Sequence, residues 1–196
     1  MIDKNFVIFG ALLNLIGSST YAYATLRGRT KPNRVTWFLW ALAPLIAFSA
    51  SVKAGVGLPA LMTFMVGFGP LLIFLSSFVN RKAFWQITKL DICCGIISVL
   101  ALMLWLVTGS GFIAILFSII ADLIAGIPTL IKAYKNPETE SYTVFLFASI
   151  SAVITLLAID KWEFSYYAFP LYILAICSIL FVLIRFPGLR PAHSSN

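Results

Sequence analysis

One acidic residue, Asp122, lies near the middle of an apolar run that extends from Phe112 to Tyr134. If the run crosses a bilayer, a charged carboxylate at its centre costs roughly 2.5–3.5 kcal/mol on insertion scales, so we expect this side chain to face a cavity or a polar partner. Burial disfavours the charged form of a carboxyl group, which makes Asp122 a candidate site for a proton or a cation. The alternative is a protonated Asp that only hydrogen-bonds a neighbouring helix.

A second polar position, Asn14, has the matching depth in the first apolar run. Helical spacing predicts two polar stripes, one with Asn14, Ser18, Tyr21 and Thr25 and the other with Asp122, Gly126 and Thr129. We expect the two stripes to face each other and to line a wet central cavity. For Asn14 alone, a packing hydrogen bond between helices is a nearly equal alternative.

Prolines interrupt four of the apolar runs, at Pro44, Pro70, Pro128 and Pro170. Pro128 removes a helical hydrogen bond and frees the carbonyl group of Ile124, two residues from Asp122, for a cation or a substrate donor. Pro128 and Pro44 are therefore candidate hinges. The alternative is that they are ordinary membrane-helix prolines without such a role.

Two indoles, Trp37 and Trp40, stand at i and i+3 at the start of the second run. An aromatic belt at the membrane surface is the default interpretation, and stacking against a substrate is the alternative. Tyr21 and Tyr23 have the same two interpretations, and Tyr21 is favoured as a site residue because it shares the stripe of Asn14.

The remaining charged residues have simpler interpretations. Asp91 is interpreted as an interfacial ion pair with Lys89. Glu138 and Glu140 share a hairpin with Lys132 and Lys135, and this hairpin is interpreted as a solvated loop.

Several kinds of site are not expected in this chain. The sequence has one His, His193 in the polar tail, so a bis-His haem or a His-based metal site is excluded. It contains no GxSxG motif, no Walker A motif and no second intramembrane Asp, so we expect no enzyme, no cofactor and no metal. Cys93, Cys94 and Cys177 are interpreted as small apolar side chains.

The composition is that of an integral, multi-pass membrane protein, with 61% hydrophobic and only 11% charged residues. A net charge of +7 could suggest nucleic acid, but the basic residues occupy short gaps between apolar runs. The positive-inside bias explains them better, so no nucleic-acid partner is expected. The compact chain, without a glycosylation sequon, favours a bacterial inner membrane.

A bilayer core needs about 20 apolar residues in a helix. Seven runs qualify: Phe6 to Leu26, Val35 to Val52, Leu58 to Val79, Ile87 to Val107, Phe112 to Tyr134, Tyr142 to Ile159 and Phe164 to Ile184. Seven spans place the two termini on opposite sides. Of 14 Lys and Arg, only Lys4, Lys53 and Lys161 fall on the N-terminal side, which predicts the N-terminus outside and the C-terminus inside.

The sequence also predicts an internal duplication, and the alternative is a chance likeness between two hairpins of apolar helices. Thr36, Phe38, Leu39 and Ala41 align with Thr143, Phe145, Leu146 and Ala148 at one constant offset of 107 residues. Because three spans are an odd number, span 4 must return the chain to the outer face, so the two copies point the same way. The predicted all-α fold has a first three-helix bundle at 1–84, a linker helix at 85–109, a second bundle at 110–186 and a disordered cytoplasmic tail at 187–196.

With these hairpins the sequence resembles the PQ-loop family, which includes the SWEET and SemiSWEET sugar facilitators, the cystinosin-like exporters and the KDEL receptor. The PQ position corresponds to Pro128-Thr129 in the second copy and to Tyr21-Ala22 in the first. Asp122, in ADLIAGIPTL, is similar in placement to the fifth-span aspartate of the proton-coupled cystinosin-like members. The resemblance implies two parallel bundles, a substrate pocket on the axis between them, and alternating access by rocking about the prolines.

We therefore expect a secondary transporter of a small polar metabolite, with Asp122 as the protonatable site and Asn14, Tyr21 and Thr129 lining the pocket. The first alternative is an uncoupled, SWEET-like sugar facilitator in which Asp122 is only a substrate ligand. The second is a receptor or assembly subunit that moves nothing. Seven spans supply both halves of the pocket, so a monomer suffices and the oligomeric state stays open.

Overall fold

The computed structural model describes residues 3, 5–53, 60–80, 83, 85–108, 111–159 and 162–187. Within these ranges the chain forms α1 (Phe6–Leu26), α2 (Arg34–Lys53), α3 (Ala60–Val79), α4 (Lys89–Thr108), α5 (Gly111–Lys135), α6 (Tyr142–Ala158) and α7 (Phe164–Arg185), with a 3-10 turn at Pro137–Thr139. No β-strand occurs among the described residues, and the all-α prediction is confirmed. His193 and the tail from residue 188 lie outside the described residues, as do Lys4 and Lys161 from the charge count.

Three of the helices are long and apolar enough to cross a membrane, over Phe6–Leu26, Leu61–Val79 and Tyr167–Arg185, and α6 is a shorter apolar helix. The outer faces of the helices expose large apolar side chains, among them Leu12, Phe78, Ile96, Leu157 and Ile179. A soluble domain rarely presents so much exposed apolar surface. Both findings favour a membrane protein, while seven spans and their orientation stay predictions.

Six of the helices close into a ring. Around the ring, α1 contacts α3, α3 contacts α2, α2 contacts α5, α5 contacts α7, α7 contacts α6, and α6 returns to α1. The remaining helix, α4, packs outside the ring against α5 and α2. The ring therefore has a central axis that every helix except α4 can reach.

Small residues let neighbouring helices approach closely. A Cβ atom on Gly67 of α3 would come within 3.0 Å of the backbone nitrogen of Leu45 and 3.1 Å of the carbonyl oxygen of Ala41, both on α2. A Cβ atom on Gly17 of α1 would lie 3.2 Å from the Cα atom of Val144 on α6. Such contacts bring helix backbones together where apolar burial alone gives no driving force, as in a lipid bilayer.

The turn after α1 depends on Gly28, which has a φ of +73°. The backbone N–H of Gly28 donates to the carbonyl of Thr25 at 2.9 Å, and that of Arg29 donates to Ala24 at 2.9 Å. This pair of bonds is the Schellman arrangement that ends a helix with a left-handed glycine. The turn directs residues 29–33 back toward the α5–α6 hairpin, where the N–H of Lys31 donates to the carbonyl of Thr139 at 2.8 Å.

Candidate functional site

A cavity of about 70 Å³ lies on the axis of the ring. A buried water needs roughly 10–15 Å³ of such space, so the cavity has room for a few waters or a small solute. All six ring helices contribute to its lining: Asn14 and Ser18 from α1, Trp37 and Trp40 from α2, Val66 and Pro70 from α3, Asp122 from α5, Val144, Phe145 and Ala148 from α6, and Ile173, Ile176 and Cys177 from α7.

Asp122 is the acidic residue of this lining. Its carboxylate oxygen Oδ2 accepts a hydrogen bond of 2.6 Å from the hydroxyl group of Tyr172 on α7. A carboxylate has about four acceptor sites, so Tyr172 orients the group without using all of its capacity. Asp122 is therefore buried, held from α7, and still presented to the cavity, as its central position in the fifth run predicted.

The two indoles of α2 form one wall beside Asp122. Trp37 and Trp40 are only 2% and 8% exposed, so the aromatic-belt interpretation is wrong for both. The indole N–H of Trp40 donates to the backbone carbonyl of Asp122 at 3.1 Å, which ties α2 to α5. Because this partner lies inside the ring, the Trp40 ring turns inward rather than toward a membrane surface.

On α1, the predicted polar stripe is a buried face. Asn14, Ser18, Tyr21 and Thr25 are all buried, and Asn14 and Ser18 reach the cavity. The hydroxyl of Ser18 has no hydrogen-bond partner among the described residues, and it lies close to Gly69 of α3. The expectation that Asn14 and Asp122 border one cavity agrees with this arrangement.

Thr129 does not line the cavity. It is fully buried, and its hydroxyl has no hydrogen-bond partner among the described residues. Near Pro128, the backbone carbonyl of Ala125 accepts a hydrogen bond from the hydroxyl of Thr36 at 2.7 Å. This acceptor is one residue beyond Ile124, whose carbonyl was predicted to be free for a donor. The second polar stripe therefore reaches the cavity through Asp122 alone.

The prolines lie inside helices, as predicted, with Pro44 in α2, Pro70 in α3, Pro128 in α5 and Pro170 in α7. Pro70 is the one that lines the cavity, while the candidate hinges Pro44 and Pro128 lie outside the lining. Their hinge role stays a prediction.

A buried ionic cluster lies beneath the hairpins. The carboxylate of Glu140 accepts a hydrogen bond from the hydroxyl of Tyr21 and pairs with the ammonium group of Lys132 at 2.6 Å. Lys132 also donates to the backbone carbonyl of Lys31. Glu140 is 7% exposed, so the interpretation of the whole hairpin as a solvated loop is wrong, although Glu138 is exposed.

Tyr21 connects this cluster to the cavity wall. Its ring packs on Trp37 with centroids 4.9 Å apart, while Tyr21 itself does not line the cavity. Tyr21 therefore lies between Glu140 and the Trp37 ring.

A second buried polar group joins the starts of α2 and α4. The Asn33 side chain caps α2 by accepting from the N–H of Val35 at 3.1 Å, and it donates to a carboxylate oxygen of Asp91 at 2.6 Å. Asp91 and Thr88 exchange hydrogen bonds in a capping box at the start of α4. The predicted surface ion pair of Asp91 with Lys89 is wrong, because Asp91 is buried among these neutral partners.

Three of these residues were not predicted as site residues, for different reasons. The sequence did contain a signal for Tyr172, since a hydroxyl inside an apolar run needs a hydrogen-bond partner. Asn33 also had one, because Asn directly before a helical run is a preferred N-cap. Glu140 had none, because only the folded hairpin brings it onto Tyr21 and Lys132.

No family model, curated protein or solved structure matches the chain.

Proposed function

We propose that the protein is a secondary transporter of a small polar metabolite that works by alternating access, with Asp122 as the proton-linked site. The observation that carries this proposal is the presentation of one intramembrane carboxylate to a small cavity on the axis of a six-helix ring. Ionisable residues inside membrane helices commonly mark substrate, ion and proton pathways. One chain supplies the complete ring, which supports a monomer as the working unit.

The architecture we propose is the one predicted from the sequence: seven membrane spans, with α1–α3 and α5–α7 as parallel repeats and α4 as the linker. The packing order supports it, because α3 contacts both α1 and α2 just as α7 contacts both α5 and α6. The contact of α1 with α6 has its counterpart in that of α5 with α2. A PQ-loop-like carrier has this pseudo-symmetry. We place the N-terminus outside, the C-terminus inside and the protein in a bacterial inner membrane.

The mechanism we propose follows from the two polar centres. Asp122 holds either a proton or the substrate at mid-depth, while Tyr21, Glu140 and Lys132 keep the hairpin end shut. The other end admits the solute, and occupation of the cavity favours release of the Tyr21–Glu140 contact and opening toward the hairpins. Pro128 and Pro44 supply the bends about which the bundles rock.

Transport is favoured over catalysis because Asp122 stands alone. Among the described residues of the lining, no second carboxylate and no His, Lys or Arg stands beside it to act as an acid–base partner. The titratable groups that face Asp122 are Tyr172 and Cys177, both on α7, while α1 and α2 contribute Asn14, Ser18 and the two indoles, none of which titrates. The pH dependence of transport is therefore assigned to Asp122.

The test is uptake by purified protein in proteoliposomes, with sugars, amino acids, amines and organic acids supplied with and without a pH gradient. We expect one class of solute to accumulate in response to the gradient in the wild type and to lose that response in Asp122→Asn. Asp3→Asn, at an exposed residue before α1, is the matched control and should behave as the wild type. Equilibration that ignores the gradient would indicate an uncoupled facilitator, and no uptake together with a stoichiometric co-purifying protein would indicate a receptor or assembly subunit.

A further inference from the structure

The lining of the cavity has an unusual combination of chemistry. It has one acidic side chain, Asp122, and no Lys, Arg or His among the described lining residues. Three aromatic side chains, Trp37, Trp40 and Phe145, stand around the same space. An anionic solute would meet a carboxylate and the negative faces of aromatic rings, with no positive group to compensate.

The three rings form an aromatic wall. Trp37 and Trp40 have centroids 5.3 Å apart with planes at 87°, and Trp40 and Phe145 have centroids 6.4 Å apart with planes at 77°. Trp37 and Phe145 lie 6.1 Å apart and closer to parallel, at 33°. Separations of this size are contacts between rings, so the three side chains pack on one another along one side of the cavity. Aromatic surface of this kind attracts a cation that rests on the face of a ring.

The aromatic wall is also fixed in place beside the carboxylate. The Trp40 indole donates to the backbone of Asp122, and Tyr172 holds one oxygen of its carboxylate. Both anchors reduce the side-chain freedom that a ligand would otherwise have to remove on binding.

We propose that this cavity binds a small organic ammonium ion, a protonated amine, with its charged end between Asp122 and the aromatic wall of Trp37, Trp40 and Phe145. The proposal deepens the function proposed above and rests on it for the solute's passage through the membrane, but not for binding. The carboxylate supplies the counter-charge, and the rings supply a cation–π surface that excludes water. The volume of about 70 Å³ restricts the ligand to a few heavy atoms.

The test is equilibrium binding to the purified wild type, measured by calorimetry, with ethanolamine, methylammonium and propan-1-ol as probes. Propan-1-ol is the uncharged analogue of ethanolamine and has the same number of heavy atoms. We expect ethanolamine to bind at least roughly tenfold more tightly than propan-1-ol, which is the range of a desolvated cation–π contact together with a counter-ion. Equal affinity for ethanolamine and propan-1-ol, or no binding of either ammonium probe, would overturn the proposal.

Variants locate the site. Asp122→Asn and Trp40→Leu should each weaken ethanolamine binding roughly tenfold. Trp162→Leu, at a Trp that is 67% exposed, should leave ethanolamine binding unchanged. Unchanged affinity in both cavity variants would overturn the assignment to this cavity. Since the comparison of ethanolamine with propan-1-ol uses only the wild type, a variant that fails to fold leaves that test intact.

The outcomes separate this proposal from the transport proposal. Tight ammonium binding without flux in proteoliposomes would retain the ligand class and reject the carrier. Coupled flux of a sugar or an organic acid, with no binding of ammonium probes, would retain the carrier and reject the ligand class.

Discussion

Glu140 is the central residue of the buried ionic cluster beneath the hairpins. It neutralises Lys132, whose side chain is 1% exposed, and it accepts the hydroxyl of Tyr21. A buried charge whose partner is removed costs far more than a buried pair contributes, because the remaining ion keeps its desolvation penalty.

Glu140→Gln should therefore lower the free energy of unfolding by about 3–5 kcal/mol, measured by thermal or denaturant unfolding in detergent. Adding Lys132→Met to Glu140→Gln should recover most of the loss, since neither charge then remains buried. Glu138→Gln, at an exposed position of the same hairpin, should change stability by less than about 0.5 kcal/mol. A large loss in the double variant would show that the unpaired charge of Lys132 does not explain the cost of Glu140→Gln.

Asn33 connects a helix cap to a buried carboxylate, and the two roles can be separated. Asp is as good an N-cap as Asn, but Asn33→Asp would place a carboxylate against Asp91, where the amide now donates at 2.6 Å. We expect a loss of about 1–3 kcal/mol in the free energy of unfolding, from a lost hydrogen bond and like-charge repulsion.

The reciprocal variant distinguishes these causes from general damage. Asn33→Asp combined with Asp91→Asn reverses the donor and the acceptor, so stability should return close to that of the wild type. Asn5→Asp, at the exposed N-cap of α1, is the control and should be nearly neutral. If the double variant were less stable than Asn33→Asp alone, the hydrogen bond between these two side chains would not explain the loss.

At the scale of helices, the close approach of α2 and α3 depends on Gly67. The atoms that a Cβ at this position would meet include the backbone of α2 at 3.0 and 3.1 Å, and a helix backbone cannot rotate away as a side chain can. Gly67→Ala should therefore lower the melting temperature, with a cost of about 1–3 kcal/mol from overpacking.

Gly10→Ala is the comparison for this packing prediction. Its new Cβ would meet side-chain atoms, the Oγ of Ser151 at 3.2 Å and Met62 at 3.5 Å, which can adjust. The loss of stability in Gly10→Ala should be clearly smaller than that in Gly67→Ala. Equal losses would mean that the helix contact at Gly67 is not tighter than the contact at Gly10.

At the scale of the whole molecule, the proposed orientation predicts which end of the helix ring is accessible to reagents on each side of the membrane. In a variant with Cys93, Cys94 and Cys177 replaced by Ala, Glu138→Cys should react with an impermeant thiol reagent only after the membrane is opened. Trp162→Cys, exposed between α6 and α7, should react in intact cells. The reversed pattern would invert the proposed topology.

Features of the molecule that depend on local interactions could be predicted from the sequence, and features that depend on tertiary contacts could not. Helical periodicity decides which residues share a face, so the buried stripe of Asn14, Ser18 and Tyr21 and the central position of Asp122 could be predicted. Membership of the cavity lining could not be predicted reliably, since Thr129 shares the stripe of Asp122 but lies outside the lining.

The depth at which a side chain is buried was harder to predict than the helix face on which it lies. Trp37 begins a helix at the expected membrane surface, yet the ring of six helices encloses it, and no local pattern separates a belt indole from an enclosed one. The pairing of Glu140 with Lys132 and Tyr21 depends on how a hairpin folds onto a helix that begins far away in the sequence. Charge pairs within a short loop are usually solvated, so the tertiary structure overrode a reasonable expectation.

The most direct measurement of the central claim is proton movement caused by the solute in proteoliposomes loaded with a pH-sensitive dye. We predict that one class of added solute, small ammonium compounds first among them, changes the internal pH with wild-type protein and with Asp3→Asn, but not with Asp122→Asn. Identical pH responses in wild type and Asp122→Asn, or no response to any solute from a folded wild type, would contradict a proton-linked carrier centred on Asp122.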